Sequence, residues 1–156
     1  QPALSMRISR YPIILGVISL LSVSATGLLW GIVRKTQLDD SSRQLVLDTT
    51  QVIFTNWAAD SLVENAHSSF QEVMSVQTLS SYISNAQSLG SLDRMESISG
   101  SSVMSLNPFS SSQITANYEI QLTFGANSAM VISDLIYEND RWQFTAFRIQ
   151  ADLLTL

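Results

Sequence analysis

The chain has 156 residues, of which 46% are hydrophobic and 13% charged, with 8 basic and 13 acidic side chains. This length predicts one globular domain with at most a short appendage. A formal net charge of −5 excludes a general nucleic-acid binder, which needs a basic surface. The absence of cysteine excludes disulfide scaffolds, thiol nucleophiles and cysteine zinc sites, and a single histidine excludes a histidine-rich metal cluster.

A long uncharged segment near the start of the chain predicts a membrane anchor. Tyr11–Val33 comprises 23 residues without a charge. As a helix it would span roughly 34 Å, more than the roughly 30 Å of a bilayer's hydrocarbon core. Pro12 suits a first helical turn, and Trp30 suits the interface. We therefore expect a short tail over residues 1–10 and a single transmembrane helix with basic flanks over residues 11–35.

Two other interpretations of this segment compete with a membrane span. A secretory signal peptide also has a basic start, and Val23-Ser24-Ala25 resembles a small-residue cleavage site. The apolar run continues for eight residues beyond Ala25, which favours a membrane span instead. A buried helix of a soluble domain is rarely apolar on every face over such a length.

The basic flanks leave the orientation nearly balanced, with Arg7 and Arg10 on one side and Arg34 and Lys35 on the other. The short tail before Arg7 and the large acidic part after Lys35 favour an N-terminus on the cytoplasmic or matrix side. We therefore expect a single-pass membrane protein whose C-terminal domain lies in a periplasmic or other extracytoplasmic space.

Gly27 and Gly31 form a GxxxG spacing within this segment. Two glycines four residues apart let another helix approach closely, so we predict that they form a helix-packing interface with an integral membrane protein. The alternative is that glycine is common in membrane helices and one such spacing arises by chance. The segment contains no ionisable residue, which argues against a proton or ion pathway.

The charge of the chain divides at Lys35. Residues 1–35 carry a net charge of +4, whereas residues 36–156 carry 4 basic and 13 acidic side chains, a net charge of −9. About 120 residues are enough for one hydrophobic core. Residues 36–156 are therefore predicted to form one soluble acidic domain.

The first part of this domain has helical periodicity. Asp39, Asp40 or Ser41 is predicted to cap a helix that continues towards His67, with a bend near residues 56–60. A second helix is predicted over residues 76–88, with Gly90 as its terminator.

After Gly90 the hydrophobic residues recur every second position instead of at helical spacing. Ile114–Phe124 alternates between apolar and polar residues, which predicts a half-buried strand. Further strands are predicted over residues 129–137 and 142–151, with a weaker one over residues 95–106 and an exposed loop over residues 107–112. The segregation of helices and strands predicts an α+β fold, with helices packed on a curved antiparallel sheet of three or four strands.

The last predicted strand changes phase. Trp142, Phe144 and Ala146 alternate, but Phe147 and Ile149 switch parity. Either both faces of this strand are buried or a bulge lies near Ala146. Both readings make Phe147 and Ile149 candidate partner-facing residues.

No catalytic, cofactor or metal site is predicted. His67 could act as a general base or a lone metal ligand beside Glu64, but one such pair is more often an ordinary surface feature. The acidic pairs Asp39/Asp40, Asp93/Glu96 and Glu138/Asp140 lack the regular spacing of a calcium loop. No nucleophile-elbow, phosphate-loop or dinucleotide motif is present.

From about Ser41 to Leu156 the pattern resembles the cystatin-like or NTF2-like α+β superfamily. The similar features are a long helix, a helix ending in Leu89-Gly90, the alternating strand 118–124 and a final strand opened by Trp142. Single-pass members with this layout include assembly components of type IV secretion systems and small assembly or import factors of mitochondrial membranes. The resemblance implies a fold and a scaffolding role without an active site.

The expected function is therefore a non-enzymatic, single-pass accessory or assembly subunit of a larger membrane protein complex. Its expected partners are integral membrane subunits and the lipid bilayer, with no nucleic acid and no cofactor. The alternative is a membrane-tethered module that holds a small apolar ligand between helix and sheet.

Overall fold

The structure is a computed structural model that describes the backbone of residues 11–105 and 112–152 and the side chains of residues 33–105 and 112–151. The chain divides into two units, residues 1–37 and 38–156. The helices are α1 (Tyr11–Asn56), α2 (Asp60–Glu64), α3 (Ser68–Val73) and α4 (Val76–Asn85), and α4 is followed by a 3-10 turn over Ala86–Leu89. The strands are β1 (Arg94–Ser105), β2 (Gln113–Phe124), β3 (Asn127–Glu138) and β4 (Arg141–Asp152).

The first unit is helical from Tyr11 onward, as part of α1. The predicted tail over residues 1–10, the side chains of the predicted span before Val33, and the Gly27–Gly31 interface lie outside the described residues. Among the helices as far as they are described, none combines the length and the apolar composition needed to cross a bilayer.

The predicted helix start at Asp39, Asp40 or Ser41 is wrong. These residues lie inside α1, which begins at Tyr11. No glycine or proline occurs between Gly31 and Asn56, so nothing in the backbone chemistry interrupts the helix there. The predicted bend near residues 56–60 is confirmed, because Trp57 takes a left-handed conformation (φ 52°) directly after α1.

Three short helices follow. α3 is capped by His67, and α4 is capped by the side chain of Ser75, which accepts a hydrogen bond from the backbone N–H of Thr78. The predicted helix over residues 76–88 is confirmed, although its last turn tightens into the 3-10 form. Gly90 ends it at φ 98°, a conformation that glycine adopts without steric cost.

All four predicted strands are present, and they form an antiparallel sheet in the order β1-β2-β3-β4. Their ends lie within one or two residues of the predicted ones. In β2, Ala116, Tyr118, Ile120, Leu122 and Phe124 are buried while the residues between them are not. The α+β fold is therefore confirmed, with a sheet of four strands. The predicted loop over residues 107–112 lies outside the described residues except for Ser112.

A β-bulge explains the change of phase in β4. Asp134 pairs with Ala146 and Leu135 pairs with Phe144, so Thr145 is an extra residue in β4. Of the two interpretations of this strand, the bulge near Ala146 is confirmed. It returns Phe147 to the core, where it is 2% exposed, and it leaves Ile149 half-buried against the core. This placement corrects the expectation that Phe147 faces a partner.

One face of the sheet, which we call the inner face, forms the core together with the helices. α1 contributes Val46, Ile53 and Phe54, and the ring of Phe54 lies 5.3 Å from that of Phe124. The short helices contribute the buried side chains Leu62, Phe70, Leu79 and Ile83. Burial of each such side chain stabilises the fold by roughly 1.5–3 kcal/mol.

Replacing Gly100 by alanine is expected to disrupt the pairing of β1 with β2. Gly100 has φ +132°, and a Cβ there would lie 2.0 Å from the carbonyl oxygen of Asn117. We expect the free energy of unfolding to fall by at least about 2 kcal/mol. Gly125→Ala is the control, because Gly125 also has a positive φ (+61°) but open space around it, and its cost should be about 1 kcal/mol. Equal losses in urea-unfolding experiments on the two variants would contradict this account.

Candidate functional site

The first turns of α1 in the second unit are bound to the sheet by a cluster of hydrogen bonds that we call the polar clamp. Its members are linked by hydrogen bonds between the helix and the strands: Asp39, Ser41 and Ser42 of α1, Ser102 of β1, Tyr118 of β2 and Trp142 of β4. At its centre, the Ser42 Oγ lies 2.8 Å from the Tyr118 hydroxyl, which donates to the backbone carbonyl of Asp39 at 3.0 Å. Ser42 is 0% exposed and Tyr118 is 1% exposed.

The carboxylate of Asp39 ties α1 to β1. Its Oδ1 accepts hydrogen bonds from the backbone N–H of Ser102 at 2.7 Å and from the Ser102 hydroxyl at 2.5 Å. Hydrogen bonds to a carboxylate are about twice as strong as bonds between neutral groups. On the other side, the indole N–H of Trp142 donates to the Ser41 Oγ at 3.0 Å. One turn of α1 is thus bound to β1, β2 and β4.

The polar clamp fixes how α1 is rotated on the sheet. A buried hydroxyl or indole N–H that lacks a partner costs free energy, so placements of α1 that separate these groups are disfavoured. Apolar packing alone is much less selective among such placements. The polar clamp therefore positions α1 and joins it to three strands.

Two other buried hydroxyls do not take part in such a cluster. The Oγ1 of Thr50 and the Oγ of Ser133 are buried without a hydrogen-bond partner in the described structure. Both residues are 0% exposed. They provide an internal comparison for the energetic value of the clamp.

His67 lies at the start of α3 and joins it to the turn between β3 and β4. Its Nδ1 accepts from the backbone N–H of Ser69 at 3.2 Å, and its Nε2 lies 3.2 Å from Glu138 Oε2. The expected pairing of His67 with Glu64 is therefore wrong, because Glu138 occupies this position instead. The hydroxyl of Ser69 lies 2.7 Å from the same Nδ1.

A serine, a histidine and a carboxylate in contact are also the parts of a hydrolytic triad. Here, however, the Nδ1 lone pair accepts the backbone N–H that it caps, which leaves the proton on Nε2 facing Glu138. None of the described cavities is lined by these three residues. The geometry is that of a helix cap anchored to a hairpin.

In each predicted acidic pair, the two carboxylates lie in different surroundings. Asp39 belongs to the polar clamp while Asp40 is exposed, and Glu138 contacts His67 while Asp140 occupies the turn. Asp93 accepts a hydrogen bond from the backbone N–H of Gly125 at 2.7 Å, whereas Glu96 contacts Arg94 and Thr123. In the described part of the chain, no group of three or more histidine, aspartate or glutamate side chains could hold a metal ion.

The described cavities lie at the margins of the core. One, of about 200 Å³, lies between α4 and β4 and is lined mainly by apolar residues such as Ala86, Leu89 and Ile149. Tyr82 also lines it, and its hydroxyl accepts from the backbone N–H of Ile149 at 2.7 Å. A second, of about 170 Å³, is lined by Phe54, Thr55, Trp57, Ser91 and Leu92. Neither lies between α1 and the inner face, where fully buried side chains such as those of Val46 and Ile53 fill the space.

No protein-family model matches this chain, and no curated protein or solved structure matches it.

Sequence reasoning missed the polar clamp. The sequence predicts helix-capping roles for Asp39 and Ser41 and strand positions for Tyr118 and Trp142. One signal was available, because Tyr118 and Trp142 each occupy a predicted inward position and carry a polar atom that needs a partner when buried. Nothing in the local sequence indicates which residue supplies that partner.

Removing a clamp hydroxyl is expected to destabilise the protein, whereas removing an unpartnered one is not. Ser42→Ala should lower the free energy of unfolding by about 1 kcal/mol, because it deletes the contact with the Tyr118 hydroxyl. Ser133→Ala makes the same chemical change at another fully buried position and should leave stability unchanged or raise it. Chemical unfolding of both variants checks this, and a larger loss for Ser133→Ala would rule out the interpretation.

The pKa of Glu96 is expected to depend on Thr123. The Thr123 hydroxyl, which donates to Glu96 at 2.8 Å, and next the Arg94 guanidinium hold the pKa of that carboxyl below its ordinary value of 4.5. Since the folded pKa is lowered, this contribution to stability is present above the unfolded pKa and is lost as the pH falls through the folded pKa.

Thr123→Val should therefore raise the pKa of Glu96 towards 4.5, as measured by NMR titration. Thr115→Val, on the same strand and the same face, is the control and should leave that pKa in place. An unchanged pKa in Thr123→Val would show that the hydroxyl is not its cause.

Proposed function

We propose that this protein is a non-enzymatic, single-pass accessory or assembly subunit of a larger membrane protein complex. The observation that carries the proposal is that the 23-residue uncharged segment and the helix bound to the sheet belong to one element, α1. One segment of chain would then carry both the membrane anchor and the residues that bind the sheet.

The position of the polar clamp along the chain supports this proposal. Asp39, which binds Ser102, follows Lys35 by only four residues. Arg34 and Lys35 form the basic flank expected at the end of a membrane span. Binding of the sheet thus begins about one helical turn after that flank.

The finer fold assignment is part of the proposal. A long helix, three short helices and a four-stranded antiparallel meander, in that order, suit the cystatin-like or NTF2-like architecture. In such a fold the helix lies across one face of the sheet, as the contacts of Ser42 with Tyr118 and of Phe54 with Phe124 indicate here. A scaffolding role agrees with the contacts that the titratable side chains make. Asp39, Asp93 and His67 each make structural hydrogen bonds.

The alternative, a ligand held between helix and sheet, has less support. Side chains of α1 and of the inner face that are 0–2% exposed occupy that space, including Val46, Ile53, Ile120 and Val131. Entry of a ligand would require α1 to separate from the strands that the polar clamp binds. The described structure therefore favours the accessory subunit.

The helix-packing role of Gly27 and Gly31 is tested by adding bulk. Gly27→Leu and Gly31→Leu should each reduce the amount of partner protein recovered with this chain in mild detergent by about tenfold, because a leucine side chain holds the two helices apart. Gly16→Leu is the matched control, since it is the same change in the same segment outside the GxxxG spacing. Quantitative mass spectrometry of the purified complex measures recovery, and equal recovery for all three variants would refute the role.

A further inference from the structure

The sheet has a second face, which we call the outer face. Its residues alternate with those of the inner face, and the described helices contribute to the core on the opposite side. Exposed members include Ser99, Ser101 and Val103 of β1, Asn117, Glu119 and Gln121 of β2, and Arg148 and Gln150 of β4. Met130, Ile132 and Ile136 of β3 are half-buried apolar residues on this face, and Asp134 lies between the last two.

The two edges of the sheet are closed in part by the chain itself. At the β4 edge, Phe144 exchanges backbone hydrogen bonds with Asn65 and His67, and Tyr82 bonds the backbone of Ile149. At the β1 edge, the carboxylate of Asp39 accepts a hydrogen bond from the backbone N–H of Ser102. Such contacts hinder another strand from joining the sheet. The outer face is therefore the broadest surface that the described sheet offers to another molecule.

The charges of the outer face are nearly balanced, although residues 36–156 carry a net charge of −9. Away from the β3–β4 turn, the charged side chains described on this face are two ion pairs and Glu119. The pairs are Arg94–Glu96 and Arg148–Asp134, each with an N–O distance of 3.0 Å. Two copies of so acidic a domain repel one another through their remaining surfaces, but much less through this face.

We propose that the outer face is the contact between two copies of this chain, packed sheet against sheet about a two-fold axis parallel to β3. This axis places β3 on β3 and β2 on β4 of the second copy. Glu119, Ile132 and Arg148 lie side by side across β2, β3 and β4. Glu119 then faces Arg148 of the second copy, and Ile132 faces its own counterpart.

The overlap about this axis is large enough for a specific dimer. Strands of 12 residues are roughly 40 Å long, and the three strands that overlap, β2, β3 and β4, are together roughly 14 Å wide. The two copies together would bury roughly 1,100 Å², slightly more than the roughly 1,000 Å² expected of a specific interface. The proposal depends on the sheet alone and not on the proposed membrane role.

The absence of cysteine from the chain allows a direct test with single introduced thiols. Ile132→Cys in the full chain should be crosslinked into a dimer by a short bis-maleimide, because face-to-face sheets lie about 10 Å apart. Val73→Cys is the control, since Val73 is 86% exposed but lies on α3. Efficient crosslinking of the first variant and not of the second supports the proposal.

Charge reversal tests the paired contact. Glu119→Arg alone should weaken the dimer about tenfold, because it places two arginines opposite each other. Glu119→Arg combined with Arg148→Glu should restore most of the affinity. Analytical ultracentrifugation of the full chain in detergent measures both effects.

Three results would overturn the proposal. The first is an Ile132→Cys variant that stays monomeric at micromolar concentrations or crosslinks no better than Val73→Cys. The second is an Ile132→Cys variant that crosslinks in membranes to a different protein instead of to itself. The third is loss of the crosslink when Gly27→Leu and Gly31→Leu are added, which would assign the association to α1. Persistence of the crosslink in that background supports the outer face, whatever the fate of the proposed membrane complex.

Discussion

The structure depends on how one turn of α1, from Asp39 to Ser42, is held by the sheet. Its hydrogen bonds reach β1 through Ser102, β2 through Tyr118 and β4 through Trp142. Because these partners are buried or nearly so, a rotation or shift of α1 would leave several polar groups without partners at once. Once these hydrogen bonds fix the position of α1 on the sheet, they also fix the apolar contacts further along the helix, such as that of Phe54 with Phe124.

The short helices extend this arrangement to the β4 edge of the sheet. Asn65 and His67 pair with Phe144, and Tyr82 bonds Ile149, so the chain covers β4 on both sides of the bulge at Thr145. The bulge itself is what returns Phe147 to the core. Together with Asp39 at the β1 edge, these contacts direct interaction with other molecules towards the faces of the protein and away from its strand edges.

Two separate surfaces then have distinct proposed roles. The glycines of α1 would serve contact within a membrane, while the outer face would serve contact between copies of the domain. The polar clamp belongs to neither surface.

The elements with a clear period were predicted well. The alternation of Ile114–Phe124 defined β2 to within one residue, and the change of phase after Ala146 indicated either a strand buried on both faces or the bulge that the structure shows. These signals are local, since the side chains of a strand point to alternate faces whatever the strand packs against. The failures were of another kind. The helix start near Asp39 was wrong, because residues that can cap a helix are also tolerated inside one when their side chains bond elsewhere.

The candidate sites show the same division. Sequence alone could single out His67 as the one histidine of the chain and place Asp39 and Tyr118 on predicted elements, but it could not show which residues are their partners. The partners, Glu138, Ser102 and Ser42, lie between 63 and 76 residues away along the chain. The sequence by itself determined the order of helices and strands and which residues of β2 point to the same face of the sheet. It also determined the net negative charge of the domain and the uncharged segment of α1. Only the tertiary structure decided which polar groups meet, because hydrogen-bond partners across a fold are chosen by geometry that no local pattern encodes.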